Sequence, residues 1–123
     1  MRGLLDTSIV IGGPRPAEVD EACISAMTLA ELHFGVLHAP DGATRAVRLQ
    51  RLAFVESAFE PLPIDGDVAR AYGTIVAGAH AAGRRPRTAN ALIAATAAAN
   101  GLTVYTRDRE FEGLPGVQAV IVA

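Results

Sequence analysis

The chain has 123 residues and a hydrophobic content of 50%, which suits one domain with a single sizeable core and is too short for two ordinary ones. All eleven basic residues are arginine, which excludes chemistry that needs a lysine, such as a P-loop, a Schiff base or a lysine-assisted phospho-aspartate. The formal charge of −2 argues against a large basic nucleic-acid footprint, although a small local one remains compatible with it.

Cysteine content and hydropathy indicate the compartment. The single cysteine, Cys23, excludes an internal disulfide and a Cys-rich zinc site, and its apolar neighbours predict that it is buried. No apolar run reaches the roughly 18–20 residues of a membrane span. Asp6 interrupts the first apolar stretch too early for a signal peptide. We therefore expect a soluble, cytoplasmic protein without membrane association.

The first half of the chain alternates between strand and helix patterns. Strands are predicted at residues 3–5 and 22–26, and the first of them leads through a polar turn into a short helical start. Helices are predicted from Thr28 to about His38 and over residues 44–58. Glu60–Ile64 is expected to be a weak strand at a sheet edge, because two prolines interrupt it.

The second half continues this alternation. A helix is predicted from Asp65 to about Ala82, capped by Asp65 or Asp67, and a basic loop follows at 83–87. The segment 88–100 is apolar on almost every side, which predicts a buried helix that ends at Gly101. Strands at 102–105 and 117–121 complete the chain. Because no hairpin signal separates the strands, the pattern predicts one α/β domain over residues 1–123, with a parallel sheet covered on both faces.

Polar side chains follow the predicted strands at their carboxyl ends, where open parallel sheets gather function. Asp6 follows the first strand, Thr28 and Glu31 follow the second, and Asp108 follows the fourth. Asn90 lies in the first turn of the buried helix. Clustered carboxylates need a cation or a proton, and oxygen ligands without His or Cys suit Mg²⁺ or Mn²⁺. The sequence therefore predicts a divalent-metal site at this edge of the sheet.

Each of these residues also has a purely structural interpretation. Asp6 could cap the next helix, Asp108 could serve a turn, and Asn90 is an ordinary first-turn residue. Thr28-x-x-Glu31 matches a capping box, and for Glu31 taken alone this interpretation is the stronger one. The three histidines lie on helix bodies without metal spacing, so we expect no metal ligand among them.

Hydroxyl and guanidinium side chains accompany the candidate site in the sequence. We expect the hydroxyls to cap helices or to orient the carboxylates; they belong to Thr7, Ser8 and Thr106. Arginines near the site either lie in solvent or hold phosphates; they are Arg84, Arg85, Arg87, Arg107 and Arg109.

Four short motifs occur in order between residues 5 and 111. They are Leu5-Asp6-Thr7-Ser8, Ser25-x-x-Thr28-x-x-Glu31-Leu32-x-x-Gly35, the stretch NALIAATA at 90–97, and Val104-Tyr105-Thr106-Arg107-Asp108-x-x-Phe111. Each motif alone is weak. Together and in this order they resemble PIN-domain ribonucleases, specifically the VapC-type toxins of bacterial toxin–antitoxin pairs.

The resemblance implies a three-layer PIN-like fold with a five-stranded parallel sheet and an acidic quartet at Asp6, Glu31, position 90 and Asp108. It implies cleavage of single-stranded regions of structured RNA, such as tRNA or ribosomal RNA loops, with Mg²⁺ or Mn²⁺ as cofactor. A VapB-type antitoxin, the RNA substrate and a second copy of the chain in a homodimer are the implied partners. The apolar faces of the helices at 28–38 and 44–58 are the candidate surfaces for the antitoxin.

The sequence departs from the family pattern at one position of the quartet. Asn90 stands where the family has Asp, and it keeps a carbonyl oxygen as a ligand but loses the negative charge. Metal binding and water activation should therefore be weakened or lost. An engineered inactivation and a natural change are both open, and the intact remainder of the motifs favours the first.

Three other functions remain compatible with parts of the sequence. A PIN-like module without catalysis would only bind RNA or an antitoxin, and a nuclease of the same fold could act on DNA. A phosphatase or phospho-acceptor domain could use Asp6, but the absence of lysine and of a second Asp two residues later speaks against it.

Overall fold

The computed structural model describes all 123 residues. Its strands are β1 (Arg2–Leu5), β2 (Glu21–Cys23), β3 (Thr103–Thr106) and β4 (Ala119–Ile121). Its helices are α1 (Thr7–Gly12), α2 (Ala26–Leu37), α3 (Gly42–Ala58), α4 (Gly66–Ala81) and α5 (Thr88–Ala99), and a 3-10 turn covers Arg109–Phe111. None of the helices combines the length and apolar character that crossing a membrane requires.

The strands form one parallel sheet in the order β2-β1-β3-β4, as the predicted α/β fold required. Because successive side chains of a strand point to opposite faces, Leu4 and Leu5 of β1 belong to two different cores. Leu4 packs with Val104 beneath α4 and α5. Leu5 packs with Tyr105 beneath α1, α2 and α3. The sheet is thus covered on both faces by helices.

The fifth strand expected at Glu60–Ile64 is absent, so the expected five-stranded sheet has four strands. This segment makes a single parallel bridge, between Leu62 and Ser25. The Leu62 N–H donates to the carbonyl of Ile24, and the Leu62 carbonyl accepts from the amide of Ala26, both at 2.9 Å. Proline lies on either side of Leu62. Its ring holds φ at about −65°, away from the roughly −120° of a parallel strand, which disfavours extension of the ladder beyond this one residue.

Helix α2 begins at Ala26, two residues before the predicted start, and its cap is Ser25. The Ser25 hydroxyl accepts a hydrogen bond from the Met27 N–H at 3.0 Å, which ends the second strand earlier than predicted. Thr28 therefore lies inside the first turn, fully buried. The capping box of Thr28 and Glu31 is wrong, and the Glu31 carboxylate is left available for another role.

Two further helix boundaries follow from side-chain chemistry. Asp65 caps α4, since its carboxylate accepts from the Val68 N–H at 3.0 Å, whereas Asp67 lies in the first turn and pairs with Arg70. Helix α5 is buried on most sides, as predicted. Gly101 follows its end at a φ of +66°, a backbone conformation that glycine adopts without steric cost.

Candidate active site

The candidate site lies where the two central strands end. Strand β1 pairs with β3 so that Leu5 is opposite Tyr105, and the Asp6 N–H continues the ladder by donating to the Tyr105 carbonyl at 2.9 Å. Asp6 and Thr106 are thereby neighbours at the same edge. The Asn90 side chain reaches this edge from the first turn of α5, and Glu31 reaches it from α2.

Asp6 is a buried carboxylate held by hydroxyl groups. Only 3% of the residue is exposed, and its Oδ2 accepts hydrogen bonds from Ser8 Oγ and Thr106 Oγ1, each at 2.8 Å. It precedes α1 but makes no side-chain capping bond, so the capping interpretation is wrong. No arginine forms an ion pair with it. Buried charges normally have a charged partner or a metal, and Asp6 has hydroxyl partners only.

The two hydroxyls that hold Asp6 also hold the chain after β3. Ser8 Oγ accepts from the backbone N–H of Arg107 at 2.9 Å, and Thr106 Oγ1 accepts from that of Asp108 at 2.9 Å. The positions of Asp6 and Asp108 are therefore coupled through short hydrogen bonds. This is the orienting role that hydroxyls next to ligating carboxylates commonly have.

Glu31 is attached to the same region through the third predicted hydroxyl. Thr7 Oγ1 lies 2.7 Å from Glu31 Oε1 and 3.0 Å from the hydroxyl of Thr28. A hydroxyl has one proton to donate, so Thr7 donates to the carboxylate and accepts from Thr28. Glu31 also lines a cavity of about 270 Å³ beside Arg48 and Arg51.

Asn90 faces the acidic residues with its amide nitrogen. The side chain is buried, with 2% of the residue exposed, and its Nδ2 donates to Asp108 Oδ2 at 3.0 Å and to Glu110 Oε1 at 2.7 Å. Only the nitrogen can donate to two carboxylates, so the amide orientation follows from its partners. Its Oδ1 lies 3.4 Å from the guanidinium of Arg87, and the expectation that Asn90 offers this oxygen to a metal stays a prediction.

Glu110 belongs to this group and was missed in the sequence. Its backbone N–H donates to Asp108 Oδ1 at 2.9 Å, so the two acidic residues are joined within one turn. The available signal was the Asp-x-Glu spacing at 108–110. Such spacing does not give the direction of a side chain that leaves a turn, and the contact with Asn90 is a tertiary one.

The surroundings of Asp108 favour its charged form. The hydrogen bond from the Glu110 N–H holds the pKa of Asp108 below its usual value, and the Asn90 amide and the Arg87 charge add to this effect. Partial burial opposes the shift and does not cancel it. Asp108 is therefore ionised at neutral pH.

Three of the five predicted phosphate-binding arginines are occupied within the protein. Arg84 donates to the backbone carbonyls of Glu110 at 2.6 Å and Glu112 at 2.7 Å, and so braces the 3-10 turn. Arg109 pairs with the Glu112 carboxylate. Arg87 lies beside two acidic groups, 3.4 Å from the Asp108 carboxylate and 3.9 Å from that of Glu110.

The other two arginines have no carboxylate partner. Arg85 lies exposed in the loop before α5 and bonds only to the carbonyl of Arg84. The Arg107 guanidinium lies against Gly12 and Gly13, where a Cβ on Gly13 would come within 2.6 Å of it. The absence of a side chain at Gly13 thus makes room for this cation next to the carboxyl ends of the strands.

The structure brings only two of the four predicted site residues into direct contact. Asn90 and Asp108 are in direct contact, whereas Asp6 and Glu31 have separate hydroxyl partners and no direct hydrogen bond to that pair. No three His, Cys, Asp or Glu side chains lie close enough together to hold one metal ion. The arrangement is a row of carboxylates at one sheet edge rather than a closed metal cage.

Comparisons of sequence and of structure with known proteins agree on one family. The model of the PIN domain family matches residues 4–117. Ribonuclease VapC5 of Mycobacterium tuberculosis is 41% identical, over 96% of this chain and 91% of its own length. Ribonuclease VapC4 of the same organism is 36% identical over 98% and 97%. The solved structure of VapBC-5 from that organism, from a toxin–antitoxin family, superposes with a TM-score of 0.89 at 38% identity over 98% of both chains.

Proposed function

Because the chain belongs to the PIN-domain family and within it to the VapC-type ribonuclease toxins, we propose that it is a metal-dependent endoribonuclease. Its substrate would be structured RNA, cut in single-stranded regions such as tRNA or ribosomal RNA loops. The observation that carries the metal dependence is Asp6, a buried carboxylate with hydroxyl donors and no cationic partner.

The side chains present fit Mg²⁺ or Mn²⁺ in their donor chemistry. Asp6, Glu31 and Asp108 offer oxygen atoms only, the ligand type that these ions prefer. The lack of a three-carboxylate group accords with Mg²⁺, which usually keeps several waters and takes one or two carboxylates. When bound, such an ion lowers the pKa of a water molecule and neutralises charge on the phosphate.

The chain orients its carboxylates so that some oxygens stay free. Both hydroxyl bonds to Asp6 end on Oδ2, which leaves Oδ1 for a ligand. Thr7 occupies Glu31 Oε1, which leaves Oε2. These hydroxyls fix the side chains before substrate arrives, so little reorganisation is needed during the reaction.

RNA would be held by the arginines that have no acidic partner. Arg85 and Arg107 lie exposed in the segments that precede Asn90 and Asp108, where they can contact phosphates and set the position of the RNA strand. Arg84 and Arg109 are engaged with the 3-10 turn and are assigned no RNA contact. Preference for unpaired regions would come from shape and exposed bases.

Position 90 lowers the metal affinity in this proposal. Asn90 brings no charge, and it directs N–H groups rather than an oxygen toward Asp108 and Glu110. The same feature favours a second candidate function, a PIN module that has lost catalysis and binds RNA or an antitoxin. The two differ in whether an Asp at position 90 restores cleavage.

A VapB-type antitoxin would dock beside α3. A cavity of about 300 Å³ between α1, β2 and α3 is mostly apolar and is lined by Ile9, Phe54 and Phe59. Arg51 lines both this cavity and the one that contains Glu31. An apolar antitoxin segment seated there could extend past Arg51 and cover Glu31. The family resemblance also supports a homodimer.

The decisive experiment compares the chain and its Asn90→Asp variant on structured RNA, with Mg²⁺, with Mn²⁺ and with EDTA. We expect slow cleavage by the chain, faster cleavage by Asn90→Asp, and none in EDTA. Cleavage that EDTA leaves unchanged, or an Asn90→Asp protein that binds RNA without cutting it, contradicts the proposal. Competition with DNA of the same sequence separates an RNA-directed from a DNA-directed nuclease.

A further inference from the structure

We infer that Glu110 supplies the fourth carboxylate of this site and that Asn90 is the neutral residue which positions it. The inference rests on the proposed metal-dependent function and adds a residue that the four motifs do not contain. The negative charge expected at position 90 would then be supplied by Glu110, which is hydrogen-bonded to Asn90.

The Asn90 amide fits this role and an aspartate would not. Its Nδ2 bridges Asp108 and Glu110 at 3.0 and 2.7 Å. An Asp at position 90 would have no proton to donate, and it would add a third negative charge within hydrogen-bond distance of the other two. Like charges so close together disfavour ionisation unless a cation is present. Without a bound cation, a charge at 90 and a charge at 110 are therefore alternatives in this geometry.

Glu110 is held as a built part of the site. Its Oε1 accepts both from Asn90 Nδ2 and from the Arg87 backbone N–H at 3.0 Å. Arg84 fixes its carbonyl at 2.6 Å, and its own N–H fixes Asp108. A solvated surface glutamate has no such set of partners for its carboxylate. The carboxylate of Glu112 bonds only to Arg109, and its side chain is 51% exposed against 27% for Glu110.

The bonds leave one Glu110 oxygen available. Both hydrogen bonds to its carboxylate end on Oε1, so Oε2 has no protein donor. Together with Asp6, Glu31 and Asp108, the site then carries four negative charges with position 90 neutral. Glu110 thus offsets part of the charge lost at Asn90, so the site keeps part of its affinity for a divalent ion.

Mn²⁺ binding, measured by calorimetry on the full chain, tests the inference. Glu110→Gln should weaken binding on the order of tenfold or more, the range seen when residues around a metal site are lost. Glu112→Gln removes the same charge two residues away. It should change the Mn²⁺ affinity by less than about twofold, since only screened surface interactions are lost. Equal affinities of these two variants would overturn the inference. If neither the chain nor Asn90→Asp binds Mn²⁺, the proposed metal-dependent function itself fails.

A second measurement needs no metal. Urea unfolding in EDTA is compared for Asn90→Asp, Glu110→Gln and the double variant. We expect Asn90→Asp to lower the unfolding midpoint and the added Glu110→Gln to bring it back, because the amide then donates from position 110 to the acid at 90. Effects of the two substitutions that simply add would show that the residues are not coupled.

Discussion

The hydroxyl of Thr106 donates a 2.8 Å hydrogen bond to Asp6 Oδ2, across the two central strands of the sheet. The same hydroxyl accepts from the Asp108 N–H. One fully buried threonine thus sets the position of two acidic residues that are about 100 residues apart in the chain.

Thr106→Val keeps the shape of this side chain and removes its hydroxyl. We expect a loss of about 1–3 kcal/mol in the free energy of unfolding, the cost of leaving buried polar groups without a partner. RNA cleavage should fall as Asp6 loses its orientation. Thr103→Val on the same strand is the control, because its hydroxyl makes only a 3.4 Å contact with Gln118. Equal effects of the two substitutions would refute the special role of Thr106.

Glu31→Gln separates a catalytic from a capping role. Ser25 caps α2, so the free energy of unfolding should change by less than about 0.5 kcal/mol, as for surface substitutions away from structural features. Cleavage should fall by about a hundredfold or more, as with the loss of a transition-state charge contact. A large loss of stability with unchanged cleavage would show that Glu31 acts as a helix cap and not in catalysis.

Arg87 competes with a divalent ion for the acidic residues, because it lies 3.4 Å from Asp108. We expect Arg87→Gln to strengthen Mn²⁺ binding by more than Arg85→Gln, which removes an equal charge in the same loop but has no acidic partner. Calorimetry measures both. If Mn²⁺ affinity rises equally in the two variants, only the overall charge matters and the contact between Arg87 and Asp108 does not.

The lowered pKa of Asp108 predicts a pH dependence of stability. A carboxyl whose folded pKa lies below its unfolded value of about 3.9 stabilises the fold fully above that value, and this contribution is lost as pH falls through the folded pKa. The chain should therefore lose stability on acidification more steeply than Asp108→Asn below about pH 4. Urea unfolding between neutral and acidic pH measures the free energy of unfolding of both proteins. Parallel plots of this free energy against pH would contradict the prediction.

Antitoxin docking beside α3 predicts an effect of Phe54. Phe54 is 66% exposed and Phe34 is 64% exposed, so Phe54→Ser and Phe34→Ser should leave stability nearly unchanged. Of these two phenylalanines, Phe54 lines the cavity between α1, β2 and α3 and Phe34 does not. We expect Phe54→Ser to weaken binding of a VapB-type antitoxin at least tenfold, by loss of a buried aromatic anchor. A larger effect of Phe34→Ser would place the interface on α2.

Hydrophobic periodicity predicts most of this fold, and local chemistry decides the rest. The parallel strands, the buried α5 and the position of Asp6 at a strand end follow from the pattern. The start of α2 does not, because Ser25 and Thr28 are both good caps and only the folded chain shows which one is used. The edge strand at Leu62 is reduced to one bridge, because the flanking prolines hold the backbone away from strand geometry.

The candidate site, too, is predicted by the sequence only in part. Its strand-end carboxylates are visible in the sequence, since the carboxyl ends of parallel strands share one edge. The orientation of the Asn90 amide and the contribution of Glu110 are not, because both depend on a contact between α5 and the turn after β3. A side chain on a short turn has no periodicity from which its direction can be predicted.

The most direct test of the account is RNA cleavage by the chain and by Asp6→Asn, with Mn²⁺ and with EDTA. The account predicts cleavage by the chain that needs Mn²⁺ and stops in EDTA, and none by a folded Asp6→Asn protein. Cleavage by Asp6→Asn at the rate of the chain, or a rate that does not depend on the metal, would contradict it.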